Sequence, residues 1–216
     1  RPPTPDDLKC QYEPLVNLLK SMGIPVYAIP GVEADDVIAT LAKQAEQENI
    51  PVCIATGDKD FSQIVNHHIK LYNSMTEQWL DENAIIEKYG ITPHQFIDYL
   101  TLTGDSVDNI PGVPKCGPKT ASKWLQTYQT LDNLIEHANQ IPGKIGESLR
   151  NSIPSLPLSK QLVTIKCDVE LPFQVKELKP GPPQEEAIYQ HAQELEFKSW
   201  IKGATEKLKP KEKTTT

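Results

Sequence analysis

The chain has 216 residues, enough to bury a sizeable core as one large domain or two small ones. With 38% hydrophobic and 24% charged residues it has the composition of a soluble globular protein, and no apolar run approaches the roughly 20 residues of a membrane span. Its 29 acidic residues against 22 basic ones give a net charge of −7, which argues mildly against a nucleic-acid binder unless many of the acids share one metal site.

The Pro-rich entry Arg1-Pro2-Pro3-Thr4-Pro5 leads into a helix with Asp6 and Asp7 in its first turn. Leu8, Tyr12, Leu15, Leu18 and Leu19 recur at helical spacing through about Met22, and Gly23 closes the helix. PVYAI at 25–29 reads as a short apolar strand. Gly31 and Val32 turn into a second helix over 33–47, with Val37, Ile38, Leu41 and Ala45 inward. PVCIA at 51–55 is another strand, a brief helix covers 61–65, and 69–72 is a third strand. Helices alternating with short, nearly continuous apolar strands predict a parallel α/β sheet covered on both faces. In such sheets function gathers beyond the carboxyl ends of the strands. Glu33, Asp35 and Asp36 follow the first of these strands, and Asp58 and Asp60 follow the second, so both groups fall at one edge of the sheet.

From Asp81, a good N-cap, the pattern turns helical. Thr92-Pro93 opens the next helix, carrying Phe96, Ile97 and Leu100. The stretch 104–121, GDSVDNIPGVPKCGPKTA, then joins two kinds of chemistry. Asp105 and Asp108 are three residues apart and would share a face on a helical turn. Lys115-Cys116-Gly117 reads as a tight turn delivering a new helix with Pro118 at its first position, and a helix N-terminus beside lysines suits a phosphate. That helix continues through Trp124 and Leu125. Further helices are predicted over 131–137, 144–150 and 157–165, an extended segment over 168–173, and a linker over 178–183. A last helix over 185–201 has Ile188, Ala192, Leu195 and Phe197 as candidate core contacts. The lysine-rich tail 207–216 is expected to be disordered.

Glu33, Asp35, Asp36, Asp58, Asp60, Asp105 and Asp108 all open elements, and these seven acids match the whole negative excess. Carboxylates brought together without a counter-ion raise one another's pKa. Hard oxygen ligands around Mg²⁺ or Mn²⁺ resolve the conflict, and two such ions can activate water and stabilise the leaving oxygen of a phosphodiester. Taken singly, any one of these groups is better explained as a helix cap than as a ligand, so the weight lies in three groups converging. His67-His68 lies just before a strand and reads as surface. Cys116 reads as a small apolar plug, since no His is placed to activate it. The chain has no Gly-x-x-x-x-Gly-Lys-Ser/Thr motif. Cys10, Cys53, Cys116 and Cys167 form no Cys-x-x-Cys pair, which indicates neither zinc nor a disulfide framework and fits a reducing cytoplasm. No signal-peptide pattern opens the chain.

GVEADDVIATLA, ATGDKDFSQIV and GDSVDNIPGVPKCGPKTA, in this order, resemble the 5′ nuclease family, with the nearest likeness to the 5′→3′ exonuclease domain at the N-terminus of bacterial DNA polymerase I. The closing LEFKSW resembles the end of that domain. The resemblance implies a PIN-like α/β domain (1–80), a helix–hairpin–helix, SAM-like DNA-binding domain (81–177), a linker with a C-terminal helix (178–204) and a tail (205–216). It implies that Glu33, Asp35, Asp36, Asp58, Asp60, Asp105 and Asp108 bind a pair of Mg²⁺ or Mn²⁺ ions, with Asp35, Asp36, Asp58, Asp60 and Asp105 as the catalytic acids. It assigns Gly117, Lys119 and Thr120 to the duplex backbone, Arg1 to the exit of the arch that threads the 5′ strand, and a monovalent cation to the hairpin; beside these, Lys115 and Lys123 are read from the sequence as added charge for the same phosphates. The implied substrates are DNA with a 5′ end or flap and RNA primer–DNA hybrids. The implied partners are the other domains of a DNA polymerase I, on the bacterial nucleoid in the cytoplasm and away from any membrane. Measured against the family, the chain is expected to lack the opening strand with its metal-binding Asp, a second strand with another, and most of the arch. A non-catalytic duplex-binding module is therefore the alternative to a flap nuclease. Where the family hairpin reads Gly-apolar-Gly, this chain reads Lys115-Cys116-Gly117, so Lys115 either accepts a positive φ or shifts the turn.

Overall fold

The computed structural model describes residues 3–201; the expectations for Arg1 and for the tail at 207–216 lie outside them. The described chain forms two compact units, one over 29–175 and one joining the residues before 29 to those after 175.

The helix α1 (Asp6–Ser21) belongs to the second unit, and the first regular element of the first unit is α2 (Ala34–Gln47). Its buried face is Ala39, Thr40, Ala42 and Ala45, whereas Ile38 is exposed and Val37 and Leu41 are half-buried. Of the expected inward residues Ala45 is buried as expected, while the rest of the buried face is made of small side chains, which let the helix backbone lie close to its neighbours. The strands β1 (Val52–Ala55) and β2 (Ile69–Asn73) pair in parallel, Val52 opposite Ile69 and Ala55 opposite Tyr72. Between them runs a 3₁₀ helix, Lys59–Ile64. A third strand, β3 (Gln78–Leu80), returns antiparallel to β2, so the sheet is mixed, in the order β1-β2-β3. The hairpin turn is held by Asn73, whose side-chain oxygen accepts from the Met75 and Thr76 amides, and by Glu77 at φ +55°. Residues 25–29, expected as a strand, are in none: an apolar run becomes a strand only beside a partner, and no strand flanks it among the described residues.

Helices complete this unit: α3 (Glu82–Tyr89), α4 (Phe96–Thr103), α5 (Pro118–Tyr128), α6 (Leu131–Glu136), α7 (Gly143–Ser152) and α8 (Leu156–Val163). Asp81 caps α3 by accepting from the Ala84 amide, as its sequence position predicts. The most buried element is α4, with Phe96, Leu100, Thr101 and Leu102 fully enclosed. Its buried Asp98 accepts from the Leu131 amide at 2.8 Å and pairs with Lys160 at 2.9 Å, tying α6 and α8 to α4. One hydrophobic cluster runs from Ala39 through Ile69 and Leu125 to Val163, so the sheet and the helices share a core. Between α4 and α5 the chain makes a two-residue ribbon, β4 (Gly104–Asp105) against β5 (Ile110–Pro111).

After α8 the chain runs without regular structure along α2. Asp36, Thr40 and Gln44, four residues apart on one helix face, accept the backbone amides of Lys166, Val169 and Val175 at 2.8, 3.2 and 3.3 Å.

In the second unit α1 packs against α9 (Glu185–Glu194). The Gly181 amide donates to the Gly23 carbonyl at 2.7 Å, so closely that a Cβ on Gly23 would fall 2.1 Å from the Gly181 oxygen. The expected helix over 185–201 breaks at Leu195. Glu196 takes φ +56° and the Phe197 amide bonds back to Ala192, a left-handed C-terminal closure. Of the four expected core contacts there, Ala192 is buried, Ile188 and Leu195 are half-buried and Phe197 is exposed. Among the described residues no helix is long and apolar enough to cross a membrane.

Candidate functional site

Beyond the end of β1 the chain is shaped by its own polar side chains. The Asp58 amide donates to the Thr56 hydroxyl, and the Asp58 carboxylate caps the 3₁₀ helix by accepting from the Asp60 amide at 2.9 Å. This delivers Asp60, mostly buried, toward β4, where Asp105 is also buried. Asp105 and Asp108 do not share a helical turn. Asp105 Oδ1 accepts from the Val107 amide at 2.7 Å and the Asp108 amide at 3.3 Å, folding the chain back in a side-chain-closed turn. The outcome is the juxtaposition that a helical turn was expected to give: carboxylate oxygens of Asp60, Asp105 and Asp108 lie within 4.8 Å of one another.

A residue that sequence reasoning passed over stands among them. Lys59 Nζ is 2.5 Å from Asp105 Oδ2 and 3.3 Å from Asp60 Oδ1. Its one sequence signal was being the sole base in the run Gly57-Asp58-Lys59-Asp60. Burial works against its charge, but the hydrogen bond to Asp105 and the charge of Asp60 outweigh it and hold the ammonium well above the usual lysine range. The hydrogen bond from Lys59, with those from the Val107 and Asp108 amides, holds the Asp105 carboxyl below its ordinary value despite burial. The Asp60 carboxyl is pushed up, chiefly by burial and then by Asp58 and Asp105, with Lys59 opposing.

The other acids divide. Asp35, in the first turn of α2, is raised by burial and then by Asp58, Glu33, Asp36 and Asp108, which puts it in the field of the cluster. Asp36 Oδ1 accepts from the Lys166 amide. Glu33 is the exposed residue before α2 and makes no side-chain cap. The close trio is therefore Asp60, Asp105 and Asp108, with Asp58 capping beside it and Asp35 acting through its charge. These residues suit a divalent cation: all donors are carboxylate oxygens, and buried Asp60 Oδ1 has no hydrogen bond, only the Lys59 ion pair.

The second candidate region is the turn before α5. The Cys116 amide donates to the Val113 carbonyl at 2.9 Å, Pro114 occupies the second position, and Lys115 at the third takes φ +70°, the requirement of a type II turn. Lys115 thus accepts the strained conformation. Lys115→Gly is expected to raise the urea midpoint, a gain of about 0.5–1 kcal/mol from relief of left-handed strain in a non-glycine residue. Gly117 has an ordinary φ of −84°, and a Cβ there would meet nothing within 4 Å. The fold therefore does not require a glycine at 117, contrary to a turn-forming role. Pro118 opens α5, and the Thr120 and Ala121 amides bond to the Gly117 carbonyl. Lys115, Gly117, Lys119 and Lys123 are exposed and Thr120 is half-buried. Cys116 is buried beneath the turn, which pushes its thiol up to about 12.

Two family models match in succession: "5′-3′ exonuclease, N-terminal resolvase-like domain" over residues 1–90 and "5′-3′ exonuclease, C-terminal SAM fold" over 91–186. A DNA polymerase I of Pseudomonas aeruginosa is 45% identical over 213 residues, covering 93% of this chain and 23% of the polymerase. A 5′-3′ exonuclease of Buchnera aphidicola is 38% identical, covering 94% of this chain and 69% of the relative. The chain thus spans about a quarter of the first relative and about two thirds of the second. Among solved structures, T5 5′-exonuclease with bound zinc matches at TM-score 0.65 and 21% identity, covering 94% of this chain and 72% of that one. The catalytic core of Rad2 with DNA substrate matches at 0.59 and 17%, covering 94% and 71%. At these identities both likenesses bear on the fold alone, an α/β unit with SAM-like helices.

Proposed function

Because the chain belongs to the 5′-3′ exonuclease family, we propose that it carries the metal-dependent, duplex-gripping part of a nuclease that hydrolyses phosphodiesters at 5′ ends and flaps, as primer removal and repair require. The observation that carries this reading is the cluster of Asp60, Asp105 and Asp108 with a buried Asp60 oxygen lacking a hydrogen bond. Those three would hold a Mg²⁺ or Mn²⁺ ion, and we place Asp58, Asp35, Asp36 and Glu33 around a second. Such ions supply an activated water and stabilise the leaving oxygen. Asp105, fixed by two backbone amides, orients the trio. Asp58, by capping the 3₁₀ helix, sets where Asp60 points. In this reading the carboxylates are ligands, not nucleophiles.

The turn at 113–117 and the start of α5 take the duplex. Lys115, Lys119 and Lys123 supply charge, Thr120 a hydroxyl, and Gly117 a gap for close approach of a phosphate. Such contacts position without reading sequence. The other domains of a DNA polymerase I are the partners we assign, supported by the polymerase relatives, and a cytoplasmic setting accords with cysteines that are all free.

The test is a labelled 5′-flap duplex incubated with the protein in Mn²⁺ or in EDTA. Cleavage is expected in Mn²⁺ alone. Binding should ignore base sequence and fall steeply with salt, and Lys119→Ala should reduce the salt slope by about one. Gly117→Val should leave stability unchanged yet weaken duplex binding, since its Cβ obstructs only an incoming group. Duplex binding without cleavage would favour the non-catalytic module. Unchanged binding by Gly117→Val would remove the turn from the duplex interface.

A further inference from the structure

We infer that Lys59 is a built-in counter-ion of the acid cluster: its ammonium holds Asp60 and Asp105 together in the metal-free protein and must give up Asp105 Oδ2 before a divalent cation can take it. The inference rests on the metal-binding reading above and adds a positioning residue to it.

Three observations converge. The Lys59 ammonium touches two of the three carboxylates in the close trio, at 2.5 and 3.3 Å, and the Asp105 contact crosses 46 residues of chain. That pairing links the 3₁₀ helix after β1 to the ribbon β4–β5, so it sets the spacing of the ligands as well as their charge. Asp60 Oδ1 is buried and lacks any hydrogen bond, so the Lys59 ion pair is the contact that offsets its burial. Finally, the Lys59 side chain is 44% exposed, whereas that of Asp105 is only 7% exposed. The cation can swing into water on its flexible stem while the carboxylates stay in place.

Without a metal or Lys59, the close approach of these carboxylates would drive them apart or favour their protonation. The ammonium offsets part of this repulsion, at Asp60 and Asp105. It is also a competitor, because Asp105 Oδ2 cannot donate fully to a metal while it accepts a hydrogen bond from Lys59. Lys59 therefore preserves the shape of the site at the expense of affinity.

The experiment compares the wild-type chain with Lys59→Met, which keeps the stem and removes the charge, and Lys59→Arg, which keeps the charge. Mn²⁺ is titrated by calorimetry, and Tm is measured in EDTA and in saturating Mn²⁺. Lys59→Met is expected to bind Mn²⁺ about tenfold tighter, the scale of one surface charge interaction. Its Tm should be about 2–4 °C lower in EDTA, with the deficit cancelled or reversed in Mn²⁺. Lys59→Arg should bind no tighter than wild type. A purely structural role would lower stability without tightening Mn²⁺ binding. Equal or weaker binding by Lys59→Met, or equal tightening in Lys59→Arg, would overturn the inference while leaving the metal site standing. A wild-type chain that binds no Mn²⁺ would overturn the metal reading and this inference with it. If Lys59→Met does not fold in EDTA, Lys59→Gln is titrated in its place, with the same outcomes.

Discussion

Gly112→Ala is expected to lower stability by about 3 kcal/mol or more, roughly 6–12 °C in Tm, and to weaken Mn²⁺ binding with it. Gly112, the residue after β5, packs against Gly104 at the start of β4. A Cβ on Gly112 would lie 2.4 Å from the Gly104 nitrogen and 2.5 Å from the Thr103 carbonyl oxygen; one on Gly104, itself at φ +70°, would lie 2.3 Å from the Gly112 nitrogen. Every obstructing atom is backbone, so no rotamer change relieves the clash. The ribbon must part, endangering the bond from the Val113 amide to the Leu102 carbonyl and moving Asp105, the residue after Gly104. Gly117→Ala is the matched control, because the added carbon there meets open space. A Gly112→Ala protein melting with wild type would show that the ribbon does not hold the site.

Asp105→Asn is expected to reduce flap cleavage by at least about a thousandfold and Mn²⁺ affinity by about a hundredfold. The amide oxygen can still accept from the Val107 and Asp108 amides, so the turn survives. What is lost is the charge on Oδ2, the oxygen now paired with Lys59. The change therefore isolates charge from shape. Asp36→Asn should cost much less, about tenfold, since Asp36 Oδ1 already accepts from the Lys166 amide and Asp36 stands outside the close trio. The comparison requires single-turnover cleavage and calorimetric Mn²⁺ binding for both variants. Cleavage by Asp105→Asn within tenfold of wild type would dismiss Asp105 as a ligand.

Elements with a local chemical signature could be read from the chain. Asp81 caps a helix, Thr92-Pro93 opens one, and Pro118 begins another, because each depends only on residues a few positions away. Features that depend on a distant partner could not. The apolar run at 25–29 looks extended, but a strand needs a neighbour. The three-residue β3 exists because Trp79 packs on Tyr72, ring centres 5.0 Å apart, and Leu80 lies opposite Leu71. Spacing was also ambiguous in principle: acids three residues apart suit a helical turn and a side-chain-closed turn equally, and Asp105 and Asp108 take the second. The candidate site followed the same division. The types of its acids were visible. Which of them converge depends on side-chain direction, and Lys59 escaped notice because its principal partner lies on the far side of β2, β3, α3 and α4 in the chain.

The three amides held by Asp36, Thr40 and Gln44 also bear on the order in which the molecule assembles. Each of these bonds closes a span of about 130 residues. In an unfolded chain, the length-dependent part of such a closure alone costs about 4 kcal/mol, more than the roughly 1 kcal/mol that one such hydrogen bond contributes. The seam consequently cannot nucleate folding. Its bonds are favoured only where other contacts already hold the two ends together, as at Gln63, whose amide oxygen accepts from the Ile165 amide and whose amide nitrogen donates to the Val163 carbonyl. Asp36 belongs to this seam, so its placement depends on the packed unit, whereas the trio is set by the 3₁₀ helix and the ribbon.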